Sequence, residues 1–156
     1  MAIDLALRLL GALDLDRAAA LHGESFLPLG ERAWTRQDLA GLLASPGVTG
    51  LLLQAESRDV GIVLFRVAAD EAELLTLAVR PAERRRGAGR RLLTAVIDRV
   101  REAGAQTLFL EVGADNPPAR ALYEAMGFRV IGTRPAYYRR GEGPPTDALI
   151  MRLSLN

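Results

Sequence analysis

The stretch "RPAERRRGAGRRLL", Arg80 to Leu93, sets five arginines (Arg84, Arg85, Arg86, Arg90 and Arg91) around Gly87 and Gly89. It follows an apolar run, "LLTLAV", Leu74 to Val79, and opens a helical pattern. From Gly89 to Ala103 the apolar residues Leu92, Leu93, Val96, Ile97 and Val100 fall on one helix face, and Gly104 is a good stop. A strand, a glycine-rich turn and a helix start together make an anion site. The first helical N–H groups have no internal partner, the macrodipole adds positive potential, and glycine lets a ligand approach the backbone. Three readings compete for it: a phosphate-bearing cofactor, a nucleic-acid backbone, or a solvated helix start. A Walker A loop would need Gly-Lys-Ser/Thr, which is missing. A Rossmann fingerprint would need a third glycine where Leu92 stands.

The flanking elements give the fold class. Ala6 to Leu10 reads as a strand, and "LDLDRAAALHGESF" after it as a helix. Thr35 is placed to cap "RQDLAGLLA", and "VTGLLLQAE" and "DVGIVLFRVA" read as strands around the polar "SRD". "EAELLTLAVRP" makes a third strand in that run. After the arginine-glycine helix come a strand, "AQTLFLEV", and a helix capped by Asn116 with Pro117 at its first position and Gly127 at its end. "FRVIGTR" and "DALIMRLSL" close the chain around a polar loop, Arg139 to Pro145. An antiparallel run, then strand-helix-strand-helix, then a final pair predicts an α/β domain with a mixed central sheet flanked by helices, spanning residues 1–156 as one unit.

Composition narrows the chemistry. The net charge is +1, so any basic surface is local. All twenty cations are arginine, which removes lysine nucleophiles and Schiff bases. There is no cysteine, hence no disulfide, thiolate or cysteine–zinc site. His22 is the only histidine, so neither a Ser-His-Asp triad nor a His-rich metal site is expected, and no metal is called for. His22 itself reads as a helix-surface residue. Met1 to Gly11 carries Asp4 and only a short apolar run, unlike a signal peptide, and no apolar run is long enough to cross a bilayer. A soluble cytoplasmic protein is the expectation.

Arg84-x-x-Gly87-x-Gly89, between its strand and amphipathic helix, resembles the acetyl-CoA signature of the GNAT N-acetyltransferases. "LFLEVGADNPPARALYEAMGF", Leu108 to Phe128, and "RPAYYRRGEGPPTDALIMRL", Arg134 to Leu153, resemble the second half of the bacterial ribosomal-protein-alanine N-acetyltransferases. The similarity runs from about Glu71 to Leu153 and weakens before that. Pro117-Pro118 and the loop from Arg139 to Pro145 depart from the commoner pattern. The resemblance implies a GNAT fold and transfer of acetyl from acetyl-CoA to a protein N-terminus, that of a ribosomal protein, without membrane or direct nucleic-acid contacts. It implies that the amides of Arg85, Arg86, Gly87, Ala88, Gly89 and Arg90, with Arg84, hold the cofactor's pyrophosphate. Leu77, Ala78 and Val79 would pair with its pantetheine arm. Other acceptors, a lysine or a polyamine, stay open, as does a binding module without turnover.

Acyl transfer to an amine needs a base, donors for the developing oxyanion and a proton for the leaving thiolate. Glu111 alternates with Thr107 and Phe109 on one face of an apolar strand, near its carboxyl end, where desolvation would raise its pKa. The resemblance implies the base role there and the acid role at Tyr123. A solvent-facing strand-end carboxylate and a packed tyrosine are the plain alternatives. Asn116 caps its helix, and a cofactor contact is compatible with that. Tyr137 and Tyr138 either line the groove for the acceptor or pack at a strand end. Trp34 is core or groove wall, and Glu24 and Ser25 precede a loop expected to border the acceptor.

Overall fold

The computed structural model describes residues 5–139 and 142–156. Met1 to Asp4, and Arg140 and Gly141 of the polar loop that departs from the commoner pattern, lie outside them.

Two strands near the middle of the sheet are buried on both faces. β2 (Val48–Ala55) and β3 (Arg58–Ala68) read as nearly continuous apolar runs because helices cover both sides. Alternation then divides their side chains. Leu51, Leu53, Val63 and Phe65 join a core with Leu92, Leu93, Val96 and Val100 of helix α3 (Ala88–Glu102). Leu52, Ile62 and Leu64 join another with Leu15, Ala18 and Leu21 of α1 (Leu15–Phe26) and Leu39 of α2 (Arg36–Leu43). Thr35 caps α2 as expected, its hydroxyl accepting from Asp38 N–H while the Asp38 carboxylate accepts from Thr35 N–H. The β2–β3 hairpin turns on Glu56 and Ser57, at φ 49° and 75°, the left-handed pair that a two-residue hairpin loop requires.

The remaining strands are β1 (Leu5–Leu9), β4 (Glu71–Val79), β5 (Thr107–Gly113), β6 (Arg129–Tyr138) and β7 (Thr146–Ser154). The sheet order is β1-β2-β3-β4-β5-β7-β6, and every neighbouring pair is antiparallel except β4–β5. α3 makes the parallel crossover. Helix α4 (Pro117–Ala125) lies on the same side as α3, and its Tyr123 joins that core. Asn116 Oδ1 accepts from Ala119 N–H, and Gly104 and Gly127 end their helices at φ 90° and 99°. The expected mixed α/β sheet is therefore the observed one.

Of the register shifts that interrupt the ladders, two shape the cleft. Between β3 and β4 the register jumps from Leu64↔Thr76 to Phe65↔Leu74, leaving Leu75 unpaired as a bulge. Before it, Ala72 and Leu74 face the α3 core; after it, Leu77 and Val79 do, while Ala78 faces α1. β4 and β5 pair only over Glu71–Glu73 and Thr107–Phe109. Beyond the bulge β4 goes its own way, and its edge toward β5 has no strand partner. The other irregularity lies between β6 and β7. Arg134 opposes Ala148 and Tyr138 opposes Thr146, so Pro135, Ala136 and Tyr137 bulge against Asp147 alone. Ala136, at φ 53°, donates its N–H to Asp147 Oδ1 at 2.9 Å.

Gly61 in β3 sits under the junction of β4 and α3. A Cβ there would come within 2.9 Å of both Ala78 O and Leu92 Cδ1. Gly61→Ala is expected to cost about 1–3 kcal/mol of stability by overpacking, read as a lower midpoint in urea unfolding.

Candidate active site

The departure of β4 from β5 opens a cleft of about 520 Å³. Leu74 to Leu77 form one wall, and Glu111, Val112 and Gly113 the other, with Asn116, Ala119 and Tyr123 of the α4 region beside them. Tyr137, Tyr138 and Arg139 enter from β6, and His22, Phe26 and Trp34 from the α1–α2 side. Both candidate catalytic residues and both tyrosines of the closing hairpin thus border one space.

The arginine-glycine loop lies where β4 ends. Arg85 and Gly87 take left-handed φ values of 63° and 82°, and such residues curl successive N–H groups into a concave anion site. Arg91 N–H is the first of α3 to reach a carbonyl of the loop, Gly87 O at 2.9 Å, so the amides just ahead of it have no intrahelical partner. A side chain on Gly87 would meet nothing within 4 Å, which leaves the space above the loop open. Gly89 is different. A Cβ there would stand 3.1 Å from Leu122 Cδ2 and 3.9 Å from Leu77 Cδ2, so α3 begins wedged between β4 and α4. The arginines are not all free: Arg84 Nε donates to Val79 O at 3.3 Å, and Arg86 pairs with the buried Glu83 at 3.6 Å. Leu77 and Val79 are half-buried on the cleft side, whereas the Ala78 side chain is buried among the α1 core. Its backbone belongs to the ladder with β3, opposite Ile62, so the outward-facing groups of this edge are those of Leu77 and Val79. Unpaired strand edge and unpaired helix amides together fit an extended chain ending in a diphosphate.

Glu111 is not the isolated carboxylate expected from its apolar strand. Its side chain is 27% exposed, and Oε1 is 2.9 Å from Arg134 Nη2. Arg134 opens the stretch that resembles the family's Arg-x-x-Tyr-Tyr loop, but sequence reasoning gave it no role. It reaches Glu111 across the intervening strand β7, a neighbour relation visible only once the register is known. The same guanidinium lies 4.8 Å from the centre of the Tyr137 ring, and Tyr137 meets Tyr138 edge-on at 5.1 Å. The triple-residue bulge held by Asp147 aims these tyrosines. Tyr123 is 7% exposed and meets Phe128 edge-on at 5.8 Å. Burial, with Tyr138 nearby, raises its pKa well above the usual phenol range, so the hydroxyl keeps its proton.

His22 is a correction. It is 2% exposed, not on the helix surface. Leu15, Ala18, Leu21, His22 and Ser25 form the buried stripe of α1, and the spacing of His22 from Ala18 and Leu15 was the available signal. Its ring stacks between Phe26 at 4.3 Å and Trp34 at 4.9 Å. Nδ1 accepts from Trp34 N–H at 3.1 Å, so the neutral ring carries its proton on Nε2 and donates to Thr76 Oγ1 at 3.3 Å. The bulge had turned Thr76 to this side. Trp34 is accordingly groove wall. Ser25 and Glu24 are ties rather than acceptor contacts: Ser25 Oγ donates to Val79 O at 3.0 Å, and Glu24 pairs with Arg80 at 3.0 Å.

Burial lowers the His22 pKa from 6.5 to about 4. The folded state holds a neutral ring, so its contribution is fully present above about pH 6.5 and is lost as pH falls toward about 4. The loss is on the order of 3 kcal/mol. Urea midpoints measured across that window should fall steeply for the wild type and less steeply for His22→Phe.

Residues 15–128 match the model of the acetyltransferase (GNAT) family. A ribosomal protein bS18-alanine N-acetyltransferase of Salmonella typhimurium is 42% identical over 106 residues, covering 68% of this chain and 71% of the relative. The crystal structure of the ribosomal-protein-S18-alanine N-acetyltransferase from Escherichia coli superposes with a TM-score of 0.88 at 31% identity, covering 98% of this chain and 95% of that one. A Salmonella typhimurium protein solved with its cofactor acetyl-CoA superposes with a TM-score of 0.83 at 20% identity, covering 97% and 94%, a likeness of fold. With the splayed strands and the open helix terminus, these matches establish that the chain belongs to the GNAT family of acetyltransferases.

Proposed function

We propose that this enzyme moves the acetyl group of acetyl-CoA onto the N-terminal amine of a protein, the alanine of the small-subunit ribosomal protein bS18. The observation that carries the reading is the cleft past the Leu75 bulge. There an unpaired strand edge leads to unpaired helix amides, and Glu111 and Tyr123 border the same space. The bS18-alanine specificity rests on the names of the relatives.

The loop amides from Arg85 to Arg90 would hold the pyrophosphate by charge-assisted hydrogen bonds, and the edge from Leu77 to Val79, whose last carbonyl already accepts from Ser25 and Arg84, would pair with the pantetheine arm. Acetyl-CoA supplies an activated thioester. The rest falls to the chain. An N-terminal amine has a pKa near 8, so about a tenth is neutral at pH 7, and completing its deprotonation costs roughly 1.4 kcal/mol. A lysine, near 10.4, would cost several times that. Glu111 takes this proton; the second proton of the nitrogen, shed as the C–N bond forms and the C–S bond breaks, goes to the departing thiolate directly or through water. Tyr123, holding its own proton, donates a hydrogen bond to the departing sulfur, because full transfer from so weak an acid would be uphill. Asn116 keeps the start of α4 in place beside them.

Incubation with labelled acetyl-CoA and peptides beginning with alanine, serine or methionine, beside an N-blocked lysine peptide, tests the acceptor. Label on the alanine peptide is expected; label confined to the blocked lysine peptide would overturn the N-terminal reading. Glu111→Gln should lower kcat at neutral pH by about 10²–10⁴-fold with coenzyme A binding intact. Saturating coenzyme A, at a hundredfold its Kd, should stabilise the wild type by about 2.7 kcal/mol, and Gly89→Val should lose most of that shift.

A further inference from the structure

We propose that Arg134 is an internal stand-in for the acceptor's cation. Its guanidinium occupies the Glu111 carboxylate in the resting enzyme, and the incoming ammonium must displace it. Arg134 then sets acceptor affinity by competition. This rests on the reading that the amine arrives at Glu111.

The sheet makes the contact possible. Glu111, Ile150 and Gly132 form one cross-strand row, and Gly113, Ala148 and Arg134 form the next row on the same face, two residues on. Paired residues share a face, so Arg134 points the same way as Glu111. Its side chain crosses two strand spacings, roughly 10 Å. Glycine and alanine occupy the rest of its row and leave that path clear. The pair is close, Nη2 to Oε1 2.9 Å, yet half of the Arg134 side chain is exposed. Such a pair is weakly held and exchangeable. The Tyr137 ring, 4.8 Å from the guanidinium carbon, provides a second seat. An arriving ammonium can therefore take the carboxylate while Arg134 stays on the aromatic face. A fixed structural bridge between β5 and β6 would behave differently. Its removal would weaken acceptor binding, and other cations would not replace it.

Arg134→Met keeps the stem over Tyr137 and removes the charge. With saturating acetyl-CoA and an alanine-initial peptide, its KM for peptide should fall about two- to fivefold, the range of an exposed ion pair. Its kcat should hold within about twofold and its KM for acetyl-CoA should not change. Arg134→Lys should keep the wild-type peptide KM. Millimolar guanidinium chloride should raise the peptide KM of the Met variant more than sodium chloride at equal ionic strength. In a Glu111→Gln background the Met substitution should leave peptide KM unmoved. A raised or unchanged KM in Arg134→Met, or a Lys variant that behaves like Met, would overturn the proposal. A readout independent of turnover is the Nε–H resonance of Arg134 in the wild type, titrated with alaninamide. Displacement should shift it, and a resonance unmoved at saturation would also overturn the proposal. Wild-type turnover in Glu111→Gln would remove the base role alone, leaving the Arg134 exchange to be judged by that resonance.

Discussion

Everything functional in this fold depends on two parallel strands that stop being neighbours. β4 and β5 share a short ladder and then separate, and the extra residue at Leu75 is the local cause. A bulge bends its strand and exchanges the two faces. Both effects are used. The bend leaves backbone donors and acceptors along β4 without partners, which only an extended ligand or water can satisfy. The exchange turns Thr76 toward His22 and Leu77 toward α3, so the strand is gripped from both layers as it leaves the sheet. Ser25 and Arg84, both donating to Val79 O, hold its end.

Charge is arranged on the same axis. At one end of the cleft the amides of the α3 terminus stand among arginines, of which Arg84 and Arg86 are already engaged within the protein. At the other end a carboxylate is matched by one guanidinium. The net charge of +1 hides this polarity. A molecule carrying phosphates at one end and presenting its reactive carbonyl at the other suits such a field.

The local chemistry was legible in the sequence. Thr35, Asn116, Gly104 and Gly127 each fix a helix boundary through groups one to four residues away, and a linear reading captures that range. The glycine turn that opens α3 was legible for the same reason. What escaped depends on register or on layer. His22 looked like surface because nothing local says which side of α1 the sheet will cover, although its spacing from Ala18 and Leu15 carried the information. The pairing of Arg134 escaped because it meets Glu111 across a third strand, 23 positions away in sequence. The bulge at Leu75 leaves no mark in "ELLTLAV", where leucines occupy both parities. Glu111 was correctly placed on its strand face, but its ionic partner, and hence its surroundings, could not be read.

The tyrosine-bearing strand is the outermost of the sheet, paired on one side only, and most of its side chains are exposed. Its three-residue bulge is fastened by one carboxylate, Asp147. The parts proposed to bind the acetyl donor, by contrast, are rooted in the middle of the sheet and in the larger core. Replacements along the outer strand therefore disturb little packing, whereas replacements around the bend in β4 disturb two helical layers at once. Such a division lets recognition of one reactant diverge between descendants while the grip on the other is inherited unchanged.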